Sequence, residues 1–196
     1  MNPNDPLIDR VREVFGGSSF SFPPSEPDGR MAAVLVPLVY HEGEWKLLFT
    51  RRSDQLVDHK GEVSFPGGSV EKQDRDFSDT ALREAWEEIG LLPKQVQILG
   101  GMHAFRTVSN FCLKPVIGLI EMPGKLTNNP SEVVRSFCIP LSWLADMEHW
   151  HEIPRQLFNG QTVPVIVYND YDGEKLWGIT ARITQEFLKG INQTPE

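Results

Sequence analysis

Apolar runs and short polar connections alternate along this chain and predict a mixed order of helices and strands. Apolar positions at helical spacing predict an N-terminal helix over residues 7–15 that begins near Asp5-Pro6. Helical spacing returns in residues 142–147 and 176–188. Runs rich in branched and aromatic residues predict strands over residues 31–40, 45–50, 96–102, 111–120, 156–158 and 163–168. This order indicates the α/β class.

Turn signals separate the predicted elements. Residues 41–44 predict the tight turn of a hairpin between the first two strands, residues 107–110 predict another turn, and Asn159-Gly160 predicts a second hairpin. Pro115 lies inside a predicted strand. Because proline has no amide hydrogen for a strand ladder, we expect it at a sheet edge or a bulge.

A further helical segment, which ends at Gly90, has an unusual charge distribution. At about 100° per residue, one arc is apolar and contains Ala81, Leu82, Ala85, Trp86 and Ile89. The opposite arc contains Glu84, Glu87 and Glu88, with Arg83 at its border. Like charges at i and i+4 repel, and carboxylates in the last turn meet the negative end of the helix dipole. A divalent cation held by oxygen ligands would offset this charge, and an acidic face in solvent is the alternative.

A glycine turn precedes this helix and favours the cation. Gly67 and Gly68 follow Pro66 and a strand-like run. Since glycine has no side chain, the backbone at this turn can approach a ligand closely. We therefore expect the Gly67 carbonyl to be a metal ligand beside the glutamates.

The turn and the helix together resemble the Nudix box. The pattern of that box is Gly, five residues, Glu, seven residues, and then Arg-Glu-apolar-any-Glu-Glu-any-Gly-apolar. Residues 83–91 satisfy its second half at every specified position. The first half is one residue longer than the pattern, and Asp74 or Asp76 stands in for its glutamate.

This resemblance implies a fold and a set of site residues. The fold would be a Nudix-type α/β/α sandwich with a central mixed β-sheet. The cofactor would be Mg²⁺ or Mn²⁺, held by Glu84, Glu87, Glu88 and the Gly67 carbonyl. Arg83 would orient these carboxylates by hydrogen bonding without touching the substrate.

The stretch directly before the box is similar to a second signature, that of the coenzyme A diphosphatases within the Nudix superfamily. The positions that fit this signature are Leu48, Phe49, Thr50, Arg52, Ser53, Gly61 and Phe65-Pro66-Gly67-Gly68. Val57 stands where the signature has its second arginine. The resemblance therefore implies coenzyme A or an acyl derivative as the substrate.

Cationic side chains cluster in the same stretch. Guanidinium groups bind phosphate oxygens through two parallel hydrogen bonds, so an acidic protein could hold a polyphosphate here. The alternative is ordinary surface charge at the end of a hairpin. The predicted substrate-binding residues are Arg51, Arg52, Ser53, His59, Lys60 and Phe65.

Later segments extend the resemblance to roughly residues 31–190. The positions that match the coenzyme A group are Thr107, Ser109, Phe111, Pro115, Val116, Ile117 and Gly118, followed by Trp177-Gly178. Between them, Glu132 occupies the place where Nudix enzymes often carry a general base or an extra metal ligand. A glutamate in an exposed loop is the alternative. We expect Trp177 and Phe187 to be core residues.

Length, composition and charge limit the number of domains, the possible partners and the expected location. The 196 residues, of which 40% are hydrophobic, suffice for one well-cored domain. We place this domain at residues 30–190, with an N-terminal helix and connecting loop, residues 1–29, in the same unit. A net charge of −8 argues against a nucleic-acid or membrane-surface binder. Cys112 and Cys138 predict no disulfide, and no signal peptide or membrane span is evident, so we expect a soluble, cytoplasmic protein.

These observations predict a metal-dependent hydrolase of a small diphosphate compound. The resemblance to the coenzyme A diphosphatases implies that coenzyme A or acyl-coenzyme A is split into 3',5'-ADP and (acyl-)4'-phosphopantetheine. The alternative substrates are ADP-ribose and other nucleoside diphosphate derivatives. A non-catalytic ligand-binding module is a third possibility, although the three box glutamates needed for catalysis are all present.

Overall fold

A mixed β-sheet lies between one helix on its first face and three helices on its second face. The structure is a computed structural model that describes residues 5–23, 30–107, 111–121, 126–156 and 160–192. The helices are α1 (Pro6–Phe15), α2 (Phe77–Ile89), α3 (Leu141–Ala145) and α4 (Gly178–Asn192). The strands are β1 (Arg30–His41), β2 (Glu44–Arg52), β3 (Val63–Ser64), β4 (Gly67–Ser69), β5 (Val96–Gly101), β6 (Phe105–Arg106), β7 (Phe111–Ile120), β8 (Val133–Pro140), β9 (Trp150–Gln156) and β10 (Thr162–Tyr168).

The sheet is built around β1. It pairs in parallel with β7 and antiparallel with β2 and β4. β2 also pairs with β3 and β8, and β7 also pairs with β5 and β6. β9 and β10 form a separate antiparallel pair. The prediction of a central mixed sheet is confirmed.

The protein has two hydrophobic cores, one on each side of the sheet, and successive residues of β1 point alternately into them. Ala33 and Leu35 pack on the α2 side, where Ala81, Ala85 and Ile89 cover them. Val34, Val36 and Leu38 point to the other side, against buried side chains of α1, α3 and α4. Because successive residues of a strand face opposite sides, one strand serves both cores. The α/β/α sandwich is confirmed.

Local sequence signals account for the ends of the elements. α1 begins after Asp5, whose carboxylate accepts a hydrogen bond from the Leu7 amide at 3.0 Å. α2 begins after Asp76, which caps it in the same way, and ends at Gly90 with φ +70°. The turn between β1 and β2 has positive φ at Glu42 and Gly43, as a type I′ hairpin requires.

Most predicted elements are present in the structure, some with other bounds, and strands β4, β6 and β8 were not predicted. The helix predicted at 142–147 is α3, and the strand predicted at 156–158 is the end of the longer β9. Residues 157–159, and 108–110 of the second predicted turn, lie outside the described residues. Pro115 is not at an edge, because β7 runs between β1 and β5. The ladder beside it is nevertheless interrupted, since β5 ends at Gly101 and β6 begins at Phe105.

Three further side chains test the predicted core. Phe187 is fully buried, as predicted, and Trp177 is half-buried with the Arg155 guanidinium over its ring. Trp86 was predicted on the apolar arc of α2 and is 52% exposed. Neither cysteine forms a disulfide within the described residues; Cys112 is buried and Cys138 is half-buried. Within the described ranges, no helix is long and apolar enough to cross a membrane.

Candidate active site

The last two turns of α2 press acidic side chains against the glycine turn. An added Cβ on Gly68 would lie 2.4 Å from Oε1 of Glu84, so only glycine leaves room for this carboxylate. The Gly67 amide donates a hydrogen bond to Oε2 of Glu88 at 3.3 Å. The β4 backbone therefore approaches both carboxylates, as the sequence predicted. The Gly67 carbonyl as a ligand stays a prediction.

Burial makes the negative charge of these carboxylates costly. Glu88 is only 1% exposed, and desolvation raises its pKa to about 8 despite the nearby Arg52 guanidinium. Burial also raises the pKa of Glu84, although Arg83 opposes the shift. Repulsion from Glu132 adds to the rise at both glutamates. The three carboxylates therefore lie near one another in a region poor in water.

Arg83 organises one side of this cluster. Its Nη1 donates to Oε1 of Glu84 at 2.8 Å and to Oε2 of Glu87 at 3.0 Å. Its Nε and Nη2 donate to the two carboxylate oxygens of Asp74, each at 3.0 Å, and Nη2 also donates to the Ser69 carbonyl at 2.9 Å. Arg83 thus holds carboxylates by hydrogen bonding, and Asp74 fills the acid position of the box.

Arg52 lies on the other side of the cluster. Its Nη1 is 3.5 Å from Oε1 of Glu88. Its Nε is buried and has no hydrogen-bond partner among the described residues. Arg51 points elsewhere, with Nη2 3.1 Å from Asp54 and Nε 3.5 Å from Glu174. Of the two arginines at the end of β2, Arg52 is therefore the one with unused donor capacity beside the acidic cluster.

The remaining predicted substrate residues divide into three groups. Ser53 is buried, and its hydroxyl accepts a hydrogen bond from the Gln55 amide at 3.3 Å. His59 and Lys60 lie on an exposed loop, where Nδ1 of His59 is 2.9 Å from a Glu62 oxygen. Their substrate contacts stay predictions.

Phe65 requires a correction. It is 2% exposed, and its ring stacks on Phe49 with centroids 4.8 Å apart. As a core side chain beneath the site it has no surface to offer a substrate. The Phe-Pro-Gly-Gly segment therefore contributes its glycines to the site and its phenylalanine to the core.

The loop before β8 carries Glu132 to the end of α2. The Thr127 amide donates to the Ile89 carbonyl at 3.0 Å, and the Asn129 amide donates to the Glu88 carbonyl at 2.8 Å. These bonds satisfy carbonyl groups that a helix end leaves without partners. An open cleft of about 470 Å³ lies beside Glu87 and Glu132. Glu132 therefore lies beside the box helix, and its role as a general base stays a prediction.

The comparisons with known proteins agree with this arrangement. The NUDIX domain description matches residues 29–157. The chain belongs to the Nudix family. A relative named uncharacterized Nudix hydrolase NudL, from Pectobacterium atrosepticum, is 37% identical over 166 residues, which cover 85% of each chain. A protein of the same name from Photorhabdus laumondii is 34% identical, with 84% and 86% covered. As a Nudix hydrolase, this chain acts on a diphosphate substrate.

Solved structures show the same fold at lower sequence identity. A Nudix hydrolase from M. smegmatis, RenU, superposes with a TM-score of 0.52 at 18% identity, covering 66% of this chain and 83% of that one. DR0079 from Deinococcus radiodurans superposes with a TM-score of 0.51 at 14% identity, covering 84% and 89%. These likenesses concern the fold alone.

Nudix hydrolases generally use divalent metal ions, and the donor set of this Nudix protein fits one. Carboxylate oxygens are hard ligands. Burial withdraws Glu84 and Glu88 from water, with Arg83 2.8 Å from the first and Arg52 3.5 Å from the second. Among the described residues, no three Asp, Glu, His or Cys side chains form a ready metal cage. Mg²⁺ does not require such a cage, because it usually binds one or two carboxylates together with waters and substrate phosphates.

Asn129 is a site residue that sequence reasoning missed. Its side-chain amide donates to Oε1 of Glu132 at 2.9 Å. No motif includes this position, and an asparagine in a polar loop is usually only a turn former. The Asn-Pro-Ser-Glu order around it gives no signal that its side chain reaches an acidic group.

Proposed function

We propose that this Nudix protein hydrolyses the diphosphate bond of coenzyme A or an acyl-coenzyme A, with Mg²⁺ or Mn²⁺ as the cofactor. The observation that carries the metal-dependent reaction is the burial of Glu84 and Glu88 against the glycine turn, with raised pKa values. Burying two like charges destabilises a fold unless something neutralises them. A divalent cation between these carboxylates and a diphosphate would do so.

Each group of residues has a separate task in this proposal. Glu84 and Glu88 would hold the cation, with the Gly67 carbonyl and Glu87 as the further predicted ligands. When bound, the cation supplies charge neutralisation on the phosphates and lowers the pKa of a water. Arg83 would fix the carboxylates of Asp74, Glu84 and Glu87 before the substrate arrives, because its N–H groups donate to all three.

Two residues would act on the substrate and on the attacking water. The buried Nε of Arg52 has no hydrogen-bond partner among the described residues, so a phosphate oxygen of the substrate would satisfy it. Glu132 would accept the proton of the attacking water as a general base. Its carboxylate has acceptor capacity left, because within the described part of the chain Asn129 donates to one of its two oxygens.

The coenzyme A assignment depends on the signature that ends at Gly68. Val57, which replaces an arginine of that signature, is 94% exposed on the loop between β2 and β3. This replacement keeps ADP-ribose and related nucleoside diphosphate compounds as the second candidate.

A substrate panel tests the proposal. Purified protein is assayed for kcat/KM on coenzyme A, acetyl-coenzyme A, ADP-ribose, NADH and a diadenosine polyphosphate, each with Mg²⁺ and with Mn²⁺. We expect the highest kcat/KM on a coenzyme A compound, with 3',5'-ADP as a product and no turnover in EDTA. A strong preference for ADP-ribose would contradict the coenzyme A assignment and leave diphosphate hydrolysis standing.

A further inference from the structure

Asn129 connects the box helix to Glu132 through both its backbone and its side chain. Its backbone amide donates to the Glu88 carbonyl at 2.8 Å, and its carbonyl accepts from the amides of Glu132 and Val133 at 3.0 and 2.8 Å. Its side-chain Nδ2 donates to Oε1 of Glu132 at 2.9 Å. The Ser53 amide holds the Glu132 backbone from the other side, by donating to its carbonyl at 2.7 Å.

We propose that Asn129 is a positioning residue that holds the Glu132 carboxylate in place for proton transfer. The inference rests on the function proposed above, in which Glu132 is the general base. A glutamate side chain has three rotatable bonds, and a half-buried one loses rotamer freedom when it is fixed. The hydrogen bond from Asn129 would fix the Glu132 side chain before the substrate binds, so this loss of rotamer freedom would not add to the barrier of the reaction.

The orientation of the Asn129 amide group is set by its other contacts. Its Oδ1 accepts from the amide and the hydroxyl of Ser131, at 3.2 and 2.7 Å. Nδ2 is therefore the end that faces Glu132, and it can only donate, which suits an ionised carboxylate. The remaining oxygen of Glu132 is left to accept a proton. Because the Asn129 amide is tied to Glu88, the base is also kept in register with the helix that carries the predicted metal ligands.

Steady-state kinetics of variants test this role on the best substrate of the panel. Asn129→Ala removes the donor, and we expect kcat to fall about 10- to 100-fold, as for other supporting partners of metal sites, with KM changed less than about threefold. Asn129→Asp replaces the donor by a carboxylate that repels Glu132, so kcat should fall as in Asn129→Ala. Ser136→Ala is the matched control. It removes a hydrogen bond to Asn128 in the same loop without touching Glu132, and kcat should stay within twofold.

A double-variant cycle separates positioning from loop stability. If Asn129 acts through Glu132, Asn129→Ala should cost little further activity in a Glu132→Gln background. An equal loss in both backgrounds would overturn the inference, and so would wild-type kcat in Asn129→Ala or in Glu132→Gln. The proposed hydrolysis has its own test. If Glu88→Gln abolishes turnover of the wild-type substrate, metal-dependent hydrolysis stands even where the role of Asn129 is refuted.

Discussion

Replacing Glu88 by glutamine should make the protein more stable and inactive at once. The Glu88 carboxylate is 1% exposed, and burial raises its pKa from 4.5 to about 8. A rise of this size means that the fold disfavours the ionised form by on the order of 2–5 kcal/mol relative to the protonated form. Glutamine has almost the same shape and no charge, so the variant does not carry this penalty.

The pH dependence of the effect follows from the direction of the shift. Because the folded state raises the pKa of Glu88, this group contributes most to wild-type stability below about pH 4.5, and the contribution is lost as the pH rises to about 8. The difference between Glu88→Gln and wild type should therefore be small at pH 5 and largest at pH 8. Other titrating groups are common to both proteins and cancel in the comparison.

Thermal unfolding in EDTA measures this difference. For a chain of this length, 1 kcal/mol corresponds to about 2–4 °C in Tm, so Glu88→Gln should unfold at least about 4 °C above wild type at pH 8. In Mg²⁺, kcat/KM should fall about a thousandfold or more, because several kcal/mol of transition-state stabilisation is lost. Added Mg²⁺ should also raise the Tm of wild type more than that of the variant.

Glu87→Gln is the matched control for stability. The Glu87 side chain is 41% exposed and sits on the same turn of α2. The same chemical change there should move the Tm in EDTA by no more than about 2 °C. A Glu88→Gln protein that is less stable than wild type at pH 8 in EDTA, or that retains its activity, would refute the account of Glu88 as a buried metal ligand.

Three further predictions concern the same cluster. Gly68→Ala should lower kcat/KM at least about 100-fold with the fold retained, because the new Cβ would displace the Glu84 carboxylate. Asp74→Asn should lower kcat about 10- to 100-fold and destabilise the fold by about 1–3 kcal/mol, because Arg83 loses a charged partner that binds it with both oxygens. The rise in Tm on adding Mg²⁺ should be larger at pH 8 than at pH 6, where the cation must first displace the proton of Glu88.

Control variants of this chain accompany the Gly68→Ala and Asp74→Asn predictions, and one result would contradict the Mg²⁺ prediction. An added Cβ on Gly17 would meet nothing within 4 Å, so Gly17→Ala should keep full activity. Asp79 binds the exposed Arg75, and Asp79→Asn should leave kcat unchanged. Circular dichroism of Gly68→Ala separates a displaced carboxylate from a failure to fold. Equal Tm shifts by Mg²⁺ at both pH values would contradict the raised pKa of Glu88.

Periodicity and turn chemistry predicted most of the fold because they depend on near neighbours in the sequence. The extent of α1, the end of α2 at Gly90 and the β1–β2 turn all follow from such local signals. Pro115 shows a limit of predictions that use only near neighbours in the sequence. It was predicted at an edge or bulge, whereas β7 is an interior strand whose neighbouring ladder is interrupted beside the proline. The pairing partners of a strand are distant in the sequence, so they cannot be identified from the residues of that strand alone.

The same limit explains the error on Trp86 in α2. A helical projection placed Trp86 among the apolar residues of the helix. In the structure Trp86 lines the open cleft beside Glu132 and stays 52% exposed. Asn129 was missed for a related reason, since the loop that carries it meets α2 only in three dimensions.

This chain has one residue more than the box pattern between Gly68 and Arg83, and the extra residue lies before the part of α2 that carries the glutamates. Five residues separate Gly68 from Asp74, as the pattern requires, so the extra residue lies between Asp74 and Arg83. That interval includes the start of α2 after its cap Asp76, and a change before a helix start does not alter the register of the helix. An aspartate is one methylene shorter than the glutamate of the pattern, yet both its oxygens reach Arg83 at 3.0 Å. The pairing of Arg83 with the acid position of the box is therefore kept, although this chain has an aspartate there.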